Sequence, residues 1–154
     1  MLRQMSAAAG INTCSVASVL RYELHHVPDP LRGHLAVSNL AEELPFAPQR
    51  WFVTWAIPNE QTRGQHAHRE CSQFLVCVHG SCRLSVDDGR HQEEFHLDRP
   101  TLGVLVPPMV WAAEYEHTPD SVLLVLASHP YDADDYIRDY EQFLHAIKSN
   151  VNVP

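Results

Sequence analysis

Short apolar runs, many of them with a polar residue at every second position, recur along most of this chain. A period of two is that of a half-buried β-strand. The pattern predicts strands over residues 35–40, 51–57, 63–69, 73–78, 82–86, 95–97, 102–106, 110–116 and 122–127. Turn chemistry punctuates them. Leu44-Pro45-Phe46-Ala47-Pro48 bends the chain between the first two, His79-Gly80 turns it before Cys82, and Asp87-Asp88-Gly89 reads as a tight hairpin, because glycine tolerates the positive φ such turns require. Strands spaced about ten residues apart suit a sandwich or closed barrel. From Ala133 the period changes: Tyr136, Ile137, Tyr140, Phe143, Leu144 and Ile147 recur at three and four residues, which predicts an amphipathic helix. Asp132 is its expected N-cap, with Asp134 and Asp135 in the first turn where carboxylates complement the helix dipole. That acidic run reads as a capped, solvated start rather than as chemistry.

Composition narrows the class. With 154 residues the chain is a single domain by length and large enough to bury a sizeable core. The domain is expected over residues 21–148, behind a flexible leader at 1–20 whose first eighteen residues carry only Arg3 as a charge. Its Ala7-Ala8-Ala9-Gly10 stretch is too weakly apolar for a secretory core. A net charge of −8, from 11 Lys and Arg against 19 Asp and Glu, argues against a nucleic-acid or anionic-membrane surface. An anionic ligand would therefore have to be held by a local arginine cluster. No run approaches the roughly 20 apolar residues of a membrane span. Cys14, Cys71, Cys77 and Cys82 show neither C-x-x-C pairing nor metal spacing, so buried free thiols and a cytoplasmic setting are expected.

Candidate chemistry centres on Gly64-Gln65-His66-Ala67-His68. On a strand, positions 66 and 68 share a face and Ala67 takes the other. Gln73 follows His68 after four residues, and Gly80 follows Gln73 after six. This rhythm resembles the first motif of the cupin β-barrels, in which metal-binding members usually carry Glu at the Gln73 position. The second cupin motif ends in a histidine, and Ala112 stands there, after Pro107-Pro108-Met109-Val110-Trp111. A divalent metal needs three or four anionic or imidazole ligands, and a neutral amide and a methyl group supply none. The histidine pair therefore reads as acid/base chemistry, with no metal and no cofactor expected.

The resemblance extends further. Arg32-Gly33-x-Leu35, Leu44-Pro45-Phe46-x-x-x-Arg50, Arg63-Gly64-x-His66-Ala67-His68, Gly80-Ser81-Cys82-Arg83 and Asp87-Asp88-Gly89 occur in order. Pro107 to Trp111, Val125-Leu126-Ala127-Ser128 and Asp135-Tyr136-Ile137-Arg138-Asp139-Tyr140 complete a pattern similar to the cupin-type sugar 3,4-ketoisomerases, over about residues 31–143. The resemblance implies an all-β jelly-roll barrel with a short C-terminal α-helix, metal-free and usually a homodimer. It also implies a reaction: moving the ketone of dTDP-4-keto-6-deoxyglucose from C4 to C3 through an enediolate. An imidazole, with its ordinary pKa near 6.5, suits both proton transfers. Family correspondence places His66 and His68 in the active site. Arg63 matches a family arginine and could stabilise the oxyanion or hold the diphosphate. Arg83 could point into the pocket or form a structural ion pair. Gln73 could orient a histidine or the sugar, or be a buried amide. Trp55 and Trp111 are stacking or packing surfaces near the pocket. Glu114 shares a strand face with Ala112 and is acidic where relatives often differ.

Two other classes stay open on the sequence. A nucleotide-sugar 3,5-epimerase would need a His-Asp pair and a tyrosine acid at a spacing the sequence does not display. A non-catalytic sugar-binding cupin is kept open by the missing histidine at Ala112.

Overall fold

The computed structural model of the chain describes residues 10–151. In chain order its strands are β1 (Gly10–Thr13), β2 (Leu20–Glu23), β3 (His25–Asp29), β4 (Gly33–Val37), β5 (Arg50–Trp55), β6 (Arg63–His68), β7 (Gln73–His79), β8 (Cys82–Asp87), β9 (Gln92–Leu97), β10 (Leu102–Val106), β11 (Trp111–Tyr115), β12 (Val122–Ala127) and β13 (Tyr136–Ile137). A one-turn helix, α1 (Leu40–Glu43), precedes β5, and α2 (Tyr140–Val151) follows β13. Two antiparallel sheets, in the orders β1-β2-β10-β7-β12-β5 and β13-β6-β11-β8-β9, form a jelly-roll barrel, while β3 and β4 make a separate hairpin.

Alternation explains how the layers close. In β8, Cys82, Leu84 and Val86 are buried while Arg83, Ser85 and Asp87 lie on the other side. These three join Leu75, Cys77, Val104, Val106, Leu123 and Val125 in one core between the sheets. A second cluster of Tyr22, Leu44, Phe74, Val76 and Leu105 lies on the reverse of the six-stranded sheet. A third, Ala67, Ile137 and Phe143 with Trp111 and Leu144 beside them, holds α2 against the reverse of the five-stranded sheet. Each residue's parity on its strand thus decides whether it faces the barrel interior or an outer layer.

Three sequence expectations change. Residues 10–20, expected in a flexible leader, instead form β1, pair with β2 and send Val16 and Val19 into the main core; residues 1–9 lie outside the described residues. The segment carries no periodic signal because its two anchors sit in a turn, three residues apart. Second, the strand expected at 35–40 ends at Val37, and Leu40 already opens α1. Third, the helix expected from Ala133 begins at Tyr140. Residues 133–135 make a single 3-10 turn capped by the Asp132 side chain, and Asp139 caps α2 by accepting from the Gln142 N–H at 2.8 Å. Tyr136 and Ile137 form a strand on β6. Adjacent apolar residues fit a helical face equally well in sequence; here they face opposite ways, Tyr136 towards the histidines and Ile137 under α2.

Replacing Val16 or Val19 by Ala is expected to lower stability by about 2 kcal/mol each. Urea unfolding checks this; a loss near zero would mean that the segment does not belong to the cooperative core.

Candidate active site

Three residues form a hydrogen-bonded line on the inner face of the barrel. His66 and His68 project from β6 on the side opposite Ala67, and His66 lies directly across from Ala112 on β11. The methyl group of Ala112 leaves the His66 ring unobstructed by a cross-strand partner. Nε2 of His66 lies 3.1 Å from Nε2 of His68. Nδ1 of His68 lies 2.6 Å from Oδ2 of Asp135. The same carboxylate accepts from the backbone N–H of Glu70 at 2.7 Å and of Cys71 at 3.4 Å. Asp135 reaches this place because the 3-10 turn brings it in just before β13 docks on β6. Tyr136, opposite His68 in that pairing, packs its ring 4.8 Å from His66 and 4.4 Å from His68, centroid to centroid.

These contacts set the protonation pattern. Burial alone would raise the Asp135 carboxyl, but its hydrogen bonds from His68, Glu70 and Cys71 prevail and hold it below the usual carboxylate range. It is therefore ionised at neutral pH and accepts the Nδ1–H of His68. His68 is 6% exposed; burial lowers its pKa, and Asp135 offsets only part of that. Burial lowers His66 to about 4, with the charges of His68, Arg138 and Arg50 adding to the effect. Both rings are neutral at pH 7. With Nδ1 of His68 protonated, its Nε2 is bare and accepts from Nε2–H of His66, which leaves Nδ1 of His66 as the bare nitrogen of the pair.

Cations surround this line. The Arg138 guanidinium lies 4.1 Å from the Tyr136 ring centroid. Arg50, on β5, lies between the rings of Phe52 and Tyr131 at 5.5 and 5.6 Å, and its buried Nε has no hydrogen-bond partner. Thr54, four residues on, also leaves its buried hydroxyl without one among the described residues. On a chain of net charge −8, Arg50 and Arg138 form the local positive cluster that an anionic ligand requires.

The other candidates divide. Arg63 is exposed, and a bulge in β6 sets it opposite Glu114 instead of leaving Gly64 there. Gly64 permits the bulge with φ +65°, and a Cβ on it would lie 2.6 Å from both Glu114 carboxyl oxygens. Glu114 faces the interior; burial raises its carboxyl to about 7, with Arg63 pulling the other way. Gln73 is buried on β7 and makes no hydrogen bond to either ring among the described residues; Asp135 orients His68 instead. Arg83 does not enter the pocket. It lies on the outer face of β8 and pairs with Glu94 at 2.6 Å and Glu116 at 2.7 Å. Trp111 also turns outwards, edge-on to Tyr140 at 5.2 Å beneath α2. Trp55 is 67% exposed on the outside of β5. All three corrections share one cause: their parity opposes that of Leu84, Ala112 and Phe52, which face inwards.

Comparison with known proteins accords with this fold. The family described as FdtA: WxcM-like, C-terminal matches residues 18–148. The chain belongs to that family. Its relatives include a TDP-4-oxo-6-deoxy-alpha-D-glucose-3,4-oxoisomerase of Aneurinibacillus thermoaerophilus, 41% identical over 112 residues that make up 73% of this chain and 81% of the relative. A 3,4-ketoisomerase from Helicobacter canadensis superposes with a TM-score of 0.81 at 31% identity, covering 85% of this chain and 98% of its own. QdtA, a sugar 3,4-ketoisomerase from Thermoanaerobacterium thermosaccharolyticum solved with TDP, gives 0.83 at 30% identity, covering 88% and 98%.

Among the described residues one group could bring three ligand atoms to a metal: those of His68, Cys71 and Asp135 lie within 4.8 Å of one another. Two of them already bond each other, so a metal there would have to displace that hydrogen bond.

Asp135 and Arg50 were not among the residues singled out by chemistry in the sequence. The signal for Asp135 was the acidic run before Tyr136, which equally suits a helix start; that for Arg50 was its place in the family pattern.

The raised Glu114 pKa has a linkage consequence. A carboxyl with a higher pKa folded than unfolded binds more protons in the native state, so stability falls as pH rises from 4.5 through about 7. Glu114→Gln is expected to be the more stable protein at pH 8, by about 3 kcal/mol relative to the difference at pH 4. Denaturant unfolding at the two pH values checks it; equal differences would place the carboxyl in a better solvated environment.

Proposed function

We propose that this chain is a nucleotide-sugar 3,4-ketoisomerase acting on dTDP-4-keto-6-deoxyglucose, with His66 as the group that meets carbon. The observation that carries the assignment of roles is that both nitrogens of His68 are engaged, by Asp135 and by His66, whereas His66 keeps one free. The fold and the relatives support the reaction class; the protein from Aneurinibacillus thermoaerophilus bears this activity in its name.

The chemistry follows from the line of hydrogen bonds. The hydrogen on C3 is acidified by the neighbouring C4 ketone. Nδ1 of His66 takes it as a proton, the C–H electrons form the C3–C4 double bond, and the carbonyl electrons move onto O4 as an enediolate. A weakly basic imidazole gains from passing charge onward: Nε2–H of His66 moves to Nε2 of His68, and the resulting imidazolium is stabilised by Asp135. Transfer of the O3 proton to O4 and return of a proton from the histidines to C4 give the 3-keto sugar, so that each proton removed is restored. Arg50 and Arg138 supply positive charge for the diphosphate and the enediolate. Arg63, at the exposed end of β6, is a further contact for the nucleotide part.

Homodimerisation fits the outer surface. Trp51 and Trp55 are exposed on the reverse of edge strand β5, and Leu31 and Leu35 on the hairpin. An apolar cavity of about 350 Å³ between hairpin and sheet is lined by Ala36, Val37, Val76, Val78, Leu124 and Leu126. Exposed apolar area of this kind marks an association surface, and a second copy covers it isologously. The four cysteines are free, which suits a reducing compartment such as the cytoplasm. No helix of the described residues is long and apolar enough to cross a membrane.

Incubation with the 4-keto sugar and NMR of the product tests the reaction: a 3-keto sugar is expected. His66→Asn and His68→Asn should abolish its formation, and Asp135→Asn should lower kcat by about 10²- to 10⁴-fold while the fold persists. An unchanged sugar, or a double histidine variant at the wild-type rate, contradicts the assignment. Trp51→Glu with Trp55→Glu should yield a monomer in sedimentation experiments; a protein already monomeric before substitution excludes the dimer.

A further inference from the structure

Glu114 is the only acidic residue classed as buried among the described residues, with 9% of its surface exposed. Burial and the charge of Arg63 are the influences on its carboxyl, and no hydrogen bond is among them. An unpaired carboxyl in a core is costly unless something else meets it. Its surroundings show where that partner would lie. The inner face of β11 presents Ala112 and then Glu114, and β6 presents Gly64 beside His66. Ala112 leaves the place across from the His66 ring small, and the Glu114 carboxyl, two residues on, takes the space a Gly64 side chain would fill. Rows two residues apart on a strand face are separated by about 7 Å, enough to place a sugar ring between the two groups.

We propose that Glu114, as a neutral carboxyl, donates a hydrogen bond to the enediolate oxygen formed when His66 takes the C3 hydrogen. This rests on the ketoisomerase reading given above and extends it to a residue outside the histidine line. No proton is transferred in this contact: the O–H of Glu114 stays on its oxygen, and the negative charge on the sugar oxygen is stabilised by the donor. An ionised Glu114 would repel the same charge. The raised pKa keeps a large share of the carboxyl protonated near neutral pH, the arrangement in which a buried acid serves as a donor. The titratable groups around it are Arg63 from β6, Cys82 from β8 and His117, whose Nδ1 meets the Ser121 hydroxyl at 3.5 Å and whose Nε2 has no partner among the described residues.

The test is the pH profile of kcat on dTDP-4-keto-6-deoxyglucose for wild type, Glu114→Gln and Glu114→Met. In the wild type, kcat should fall as pH rises through the neutral range, as the donor is lost. Glu114→Gln keeps an N–H donor that does not titrate: its rate at pH 6 should stay within about tenfold of wild type and its alkaline fall should vanish. Glu114→Met lacks a donor and should lose about 100-fold in kcat with TDP binding unchanged. The acid limb set by His66 should remain in both variants. A Gln variant that keeps the alkaline fall, or a Met variant at the wild-type rate, overturns the proposal. Should the Met variant fail to fold, the wild-type and Gln profiles decide alone. A wild type that leaves the sugar untouched contradicts the ketoisomerase reading itself, whereas turnover with an unaltered Gln profile removes only the role of Glu114.

Discussion

The hydrogen bond between Asp135 and Nδ1 of His68 is the constraint on which the site depends. It decides which nitrogen of His68 carries hydrogen, which in turn decides how His66 is oriented and which of its nitrogens is bare. Asp135 can make this bond only because the chain, after leaving β12, forms one 3-10 turn and then a two-residue strand on β6. Ile137 anchors that strand in the cluster beneath α2, together with Phe143 and Ala67. The C-terminal helix is therefore tied to the chemistry: its packing holds the strand that holds the carboxylate. Cooperative burial on the outer face fixes geometry on the inner one.

Small residues matter as much as reactive ones. Gly64 permits the bulge that turns Arg63 towards Glu114, and Ala112 leaves the His66 ring room. The site is electrically unlike the rest of the molecule. A chain with a net charge of −8 gathers Arg50 and Arg138 near two imidazoles that burial keeps uncharged. An anionic sugar nucleotide then meets positive charge without competing protonation of the base, since His66 titrates near 4.

Period-two alternation, the Asp87-Asp88-Gly89 turn and the H-x-H spacing are local signals, and they predict β5 to β12 of the barrel and β4 of the hairpin, but not β1, β2 or β13. His66 and His68 on one face followed from the same periodicity. What stayed illegible is of two kinds. Asp135 is 67 residues from His68 along the chain, and no local pattern announces such a meeting; its acidic neighbourhood matched a helix start, a commoner cause of the same composition. The misplacements of Trp55, Trp111 and Arg83 arose differently. Their strands were found, but which face of each strand looks into the barrel is a tertiary fact, and all three have the outward parity. Residues 10–20 lacked any period because Val16 and Val19 are buried from a turn.

Nitrogen-15 NMR of the histidine side chains addresses the protonation pattern directly. At pH 7 the His68 signals should show hydrogen on Nδ1 and a bare Nε2, with His66 in the complementary tautomer and both rings neutral. Hydrogen on Nε2 of His68, or an imidazolium at either position at pH 7, would contradict the proton path from His66 through His68 to Asp135.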